Sequence, residues 1–216
     1  MSSLVARRLA WIIFAATVIG SILVYPSLPP IIATHWAADG TVNGTMDSFT
    51  GAFLLPFIML LTLLLCIAIP YIDPLRANIE TFKKQYDTFV AILMLVFACI
   101  QTALLAWNLG GGFDTRLIVL PAVGILVFYI GMLLPQTKRN WFIGIRTPWT
   151  ISSDHVWQRT HELGGTLFKA LGVVIVLGIF APSYAAWIIF LPLVIIAVGL
   201  VLYSYMLYAQ EHRSRV

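Results

Sequence analysis

Charge is what this sequence has least of. Only 10% of its 216 residues are Asp, Glu, Lys or Arg, while 60% are hydrophobic. A soluble domain carries about a quarter charged residues to maintain a polar surface, so water is excluded as the main solvent of this chain. Cysteine is almost missing. Cys66 and Cys99 both sit in apolar stretches, which excludes a disulfide framework and a cysteine metal centre. No internal repeat has a convincing period, so the inverted-repeat plan of many secondary transporters is not visible. Asp and Glu are absent from the centres of the long apolar runs, which disfavours proton- or sodium-coupled transport. The 13 Lys and Arg are scattered through short segments, so the net charge of +4 marks no nucleic-acid surface.

Long apolar runs are what the sequence does have. Six reach spanning length, at Leu9–Leu28, Ala52–Tyr71, Thr88–Leu109, Leu117–Leu134, Leu163–Ala181 and Ala185–Tyr208. The expected fold is all-α, a polytopic six-helix transmembrane bundle. The fifth run is the least regular, because Gly164 and Gly165 open it and Lys169 lies within it. With the N-terminus inside, the inner segments hold Arg7, Arg8, Arg76, Lys83, Lys84, Lys138, Arg139, Arg146, Arg159, Arg213 and Arg215, against Arg116 alone outside. The positive-inside rule then puts both termini in the cytoplasm of a plasma-membrane protein. The chain divides into a two-span unit at 1–72 with an outer loop at 26–51, a two-span unit at 73–134, and a C-terminal unit at 135–216 whose inner loop occupies 135–162.

The outer loop predicts a compact, ordered structure. Pro26, Pro29 and Pro30 stop the first helix, and Asp39-Gly40 and Asn43-Gly44 are turn dipeptides. His35, Trp36, Asp39 and Asp47 give it an aromatic anchor, two acids and one group that titrates near neutrality. That set suits a ligand, or equally an interfacial tryptophan with a histidine bonded to its own loop. One histidine and two aspartates do not make a metal site.

The inner loop carries the longest polar stretch. Ser153 or Asp154 caps a helix placing Trp157, His161 and Gly164 on one face. His161-Glu162 begins like the zinc-protease pattern H-E-x-x-H, but Gly165 holds the second histidine's position, so no metal, cofactor or catalytic group is assigned. Arg146, ahead of Pro148 and Trp149, suits an anion or an indole face, or plain anchoring at the interface.

Asn140-Trp141-Phe142-Ile143-Gly144-Ile145-Arg146-Thr147-Pro148-Trp149-Thr150, followed by Trp157 and by His161 with Gly164-Gly165, resembles the C-terminal signature of the SdpI family of bacterial immunity proteins. The upstream Leu28-Pro29, His35-Trp36 and Gly40 resemble the N-terminal domain of unknown role that accompanies it. The resemblance implies protection from an extracellular peptide toxin contacted by the outer loop. It also implies a receptor role in which the inner loop holds a cytoplasmic ArsR-type repressor at the membrane. Membrane lipids are the remaining partners, and no direct nucleic-acid contact or enzyme activity is implied. Two other classes stay open. A transporter or channel would use Thr62, Gln101, Thr102, Asn108 or Lys169, and an interfacial enzyme would use Asp154, His155, His161 and Glu162.

Overall fold

The computed structural model describes residues 2–37 and 40–213. In chain order the elements are α1 (Ser3–Val24), β1 (Ile31–Trp36), β2 (Val42–Asp47), α2 (Ser48–Ile72), α3 (Arg76–Thr81), α4 (Lys83–Ala106), α5 (Arg116–Leu133), α6 (Pro148–Ser152), α7 (Asp154–Leu177) and α8 (Ala185–Arg213). Among the described residues six helices are long and apolar enough to cross a membrane, which makes the protein an all-α polytopic bundle. The outer loop adds an antiparallel hairpin, β1 against β2, that the turn dipeptides alone did not specify.

Several helices extend past their apolar runs because polar residues cap them. Ser153 accepts a hydrogen bond from the Val156 amide and starts α7 well ahead of Leu163, so the short helix expected in the inner loop runs directly into the fifth span. Asp47 caps α2 in the same way, through the Thr50 amide. At the far end of α4 the chain widens into a π-turn over Trp107–Gly111, and Gly110 and Gly112 take positive φ as it leaves the helix.

Without a hydrophobic force between helices in lipid, close packing of small residues decides which ones pair. Gly124 and Gly131 of α5 face Gly172 and Gly165 of antiparallel α7. A Cβ added at Gly172 would lie 2.7 Å from the Gly124 carbonyl oxygen, and one at Gly165 would lie 2.8 Å from the Gly131 carbonyl oxygen. The two backbones therefore touch. A second cluster joins α1, α2, α3 and α4 through Ala10, Met59, Leu63, Phe82, Tyr86 and Met94, all buried, with Leu133 of α5 reaching into it.

The polar groups within the spans hold helices together. Gln101 is buried, and its amide donates to the Ser21 hydroxyl at 3.0 Å and the Ala52 carbonyl at 2.8 Å, tying α4 to α1 and α2. Asp87, at 4% exposure, accepts from the Ser3 hydroxyl and pairs with Arg7 at 3.0 Å, fixing the start of α1 to the start of α4.

Candidate functional site

The two ends of the bundle are both ordered. At the hairpin end, Ile32 is 1% exposed and packs with Ala52, Leu104 and Leu105, because Gly51 leaves room for it on α2. Asn108 fixes β1 from the other side. Its side-chain oxygen accepts from the Ala33 amide at 2.8 Å, and its amide donates to the Ala33 carbonyl at 2.9 Å. An asparagine thus stands where another strand would pair.

Two open clefts lie beside the hairpin. One of about 500 Å³ is lined by Pro29, Ile31, Ala33, Val42, Trp107 and Asn108. The other, of about 250 Å³, includes His35, Trp36, Ile100, Leu104 and Arg116. His35 and Trp36 therefore share a cleft, and Trp36 stands edge-on to Trp107 with ring centroids 5.4 Å apart. His35 is also bonded to the Asn43 side chain across the hairpin. Asp47 is spent on a different task, the cap of α2. Its hydrogen bonds from Thr50 hold its carboxyl below the usual carboxylate range. Asp39 lies outside the described residues. Asp114 and Arg116 form an ion pair at 2.7 Å beside Trp36 and Trp107, and hydrogen bonding to Arg116 lowers the Asp114 pKa.

At the opposite end, the inner loop is built around its own signature residues. Asn140 is fully buried and saturated: its amide donates to the carbonyls of Lys138 and Ile143, both at 2.8 Å, and its oxygen accepts from the amides of Phe142 and Ile143. Gly144 follows with φ of 117°, and any Cβ there would fall on the His161 ring. The Ile145 amide then donates to His161 Nε2 at 2.9 Å, so Nε2 carries no proton, while Nδ1–H donates to the Trp157 carbonyl at 2.7 Å. Both ring nitrogens of His161 are occupied, which leaves neither for a metal or for proton transfer. The imidazole stacks on Trp157 at 4.1 Å, and the indole N–H donates to the Thr137 carbonyl at 3.0 Å.

The rest of the loop clasps the last helix. Thr147 and Thr150 form a capping box that starts α6, with Pro148 at its first turn. The Thr147 hydroxyl meets Ser204 of α8 at 3.0 Å, Trp149 packs on Tyr205 at 5.1 Å, and Ser153 donates to Glu211 at 2.7 Å. Gly164 lets Ile145 approach α7. Glu162 is held on its own helix by Gln158 and Arg159. Arg146 keeps its charge exposed on this loop. It donates from Nη1 to the Trp141 carbonyl at 2.8 Å and is otherwise exposed.

Two residues that hold this loop, Asp73 and Asn78, were missed from sequence, and they act beside the signature's own Thr150. Asp73 accepts from the Leu75 amide at 2.6 Å and the Trp141 amide at 2.8 Å, Asn78 donates to the Arg139 carbonyl at 2.7 Å, and Thr150 donates to the Ile145 carbonyl at 2.8 Å. The only signal for Asp73 and Asn78 was an acid and an amide beside Pro74, in a segment that reads as an ordinary turn.

Fold and site together define a multi-pass α-helical membrane protein with an ordered hairpin at one end and a self-bonded loop at the other. Residues 136–204 match the SdpI/YfhL protein family, and residues 12–60 match a domain of unknown function (DUF1648). The chain is 28% identical over 211 residues to the Immunity protein SdpI of Bacillus subtilis (strain 168), covering 94% of this chain and 96% of the relative. Both comparisons bear out the resemblance to the SdpI family read from the loop. No solved structure matches the chain.

Proposed function

We propose that this protein is a membrane immunity protein, protecting its cell from a peptide toxin that acts from outside. The observation that carries this reading is similarity to an immunity protein along nearly the full length of both chains. In this reading the hairpin end faces out, with His35, Trp36 and the two clefts beside β1 as the contact surface for the peptide. The basic end, with both termini, faces the cytoplasm in keeping with the positive-inside rule. Arg146 and exposed Trp141 then meet an ArsR-type repressor there.

Support for the outer assignment comes from chemistry: His35 and Trp36 lie in an accessible cleft with an aromatic wall. Protection is tested by expressing the chain in a toxin-sensitive bacterium and challenging it with the peptide. Survival that drops with His35→Ala and Trp36→Ala, at unchanged membrane levels, is the expected result. Wild-type survival equal to an empty vector overturns the reading. Repressor capture is tested separately, by toxin-dependent recruitment of the tagged repressor to membranes and its loss in Arg146→Ala.

A further inference from the structure

A groove of about 290 Å³ lies where the two halves of the bundle meet, beneath the signature loop. Its walls include Cys66 of α2, Tyr86 and Phe89 of α4, Leu133 of α5, Phe168 of α7 and Phe142 of the loop. These positions fall in the last turns of α2 and α5 and the first turns of α4, so the groove sits in one leaflet, just below headgroup depth. The Tyr86 hydroxyl already donates to the Cys66 carbonyl at 2.8 Å. The lining is predominantly apolar, which favours hydrocarbon over water as its occupant. The groove is also unsealed: Phe89 and Phe168 are half-buried and Phe142 is 37% exposed.

An open apolar groove at that depth in a bilayer is filled by hydrocarbon. Its water end is marked by charge. Gly144 and Ile145 form part of the wall, and the next residue is Arg146. Among the described residues, the one hydrogen bond of its guanidinium is from Nη1 to the Trp141 carbonyl. Arg8, Arg76, Lys84 and Lys138 are exposed at the same end. Basic pockets between membrane helices favour anionic headgroups, and a guanidinium grips phosphate through charge-assisted hydrogen bonds.

We infer that this groove is a specific site for an anionic phospholipid, with one acyl chain lying between Phe89, Phe142 and Phe168 and the headgroup phosphate on Arg146. The lipid bridges the two halves of the bundle at the point where the signature loop crosses them. Nothing in this inference depends on the immunity reading.

The test is native mass spectrometry of the full-length protein in detergent. It is titrated with phosphatidylglycerol, with phosphatidylcholine of the same chains, and with glycerol phosphate. Phosphatidylglycerol should bind at one site per chain and about tenfold more tightly than phosphatidylcholine, which offers the same phosphate but adds a choline cation that the Arg146 guanidinium repels. Arg146→Gln should erase that preference, Arg146→Lys should retain most of it, and Ile130→Phe, which enlarges a side chain of α5 that also lines the groove, should weaken both lipids alike. Unchanged intrinsic tryptophan emission keeps a lost preference from being read as a collapsed loop. Equal binding of the two lipids to the wild type, or an Arg146→Gln protein that still prefers phosphatidylglycerol, overturns the inference. So does competition by glycerol phosphate alone, or a peptide or second copy of the chain found in the groove instead.

Discussion

The Asp73 carboxylate accepts a hydrogen bond from the Trp141 amide at 2.8 Å, joining positions 68 residues apart. Asp73 is 2% exposed, and its other oxygen receives the Leu75 amide. The short link after α2 therefore supports the signature loop from below. Asp73→Ala leaves two amides without their acceptor, at a cost of about 1–3 kcal/mol for each buried orphan group. The expected outcome is a lower unfolding midpoint in detergent, with faster proteolysis at Lys138 and Arg139 than elsewhere.

Gly144→Ala should be among the most damaging substitutions of a small residue. Its φ of 117° disfavours any side chain, and the added methyl meets the His161 ring that accepts the Ile145 amide. A strained backbone of this kind costs about 1–3 kcal/mol before the clash is counted. Gly20→Ala is the control, since nothing lies within 4 Å of a Cβ there. Thermal melts of the two proteins should separate clearly, with Gly20→Ala at or above wild type.

Asn108→Asp separates the two halves of an amide clamp. The aspartate still accepts from the Ala33 amide but presents an oxygen to the Ala33 carbonyl, where the native amide donates. Hydrogen exchange should quicken across Ile31–Trp36 while α5 and α7 stay protected. Uniform loosening of the whole chain would contradict a local clamp.

Thr147 and Ser204 invite a double-mutant cycle, because their hydroxyls meet at 3.0 Å between α6 and α8. Thr147→Val and Ser204→Ala should each destabilise, and their sum should exceed the double mutant by about 0.5–1.5 kcal/mol, the net worth of one hydrogen bond. Strict additivity in denaturant unfolding would mean that the loop does not hold the last helix through this pair.

Asp47 makes the start of α2 sensitive to acid. Its folded pKa is depressed by the hydrogen bonds from Thr50, so its contribution is complete above the ordinary carboxylate pKa and is lost as pH falls through the folded value. The protection factor of the Thr50 amide, its exchange rate corrected for the intrinsic pH dependence, should fall on acidification through that window. Asp47→Asn keeps a good cap without a titrating group and should remove the pH dependence.

The spans were legible because apolar runs bounded by charge are strong, local signals. The signature loop was legible as a pattern, but the duties of its members were not. His161, Trp157 and Asn140 read equally well as a surface for a partner, and only their contacts reveal that they bond to the loop itself. The hairpin was half legible: Asn43-Gly44 announced a turn, yet Asn43-Gly44 falls inside β2, and the free edge of β1 is bonded by Asn108, far along the chain. Asp73 and Asn78 were invisible for the same reason, since what they hold lies in a segment more than sixty residues downstream.

The touching backbones of α5 and α7 constrain how the chain is made. A ribosome releases α5 into the membrane before the inner loop and α7 exist, so the glycine-lined face of α5 waits against lipid until Gly165 and Gly172 arrive. Nascent chains stalled once α5 but not α7 has left the ribosome would carry that face unmatched, while chains stalled once α7 has left it would already hold the closed pair, before α8 is inserted. Arresting synthesis at those two points and cross-linking from Val127→Cys, which packs against the cluster holding Leu171 and Ile175 of α7 without filling a glycine contact, would time the closure directly.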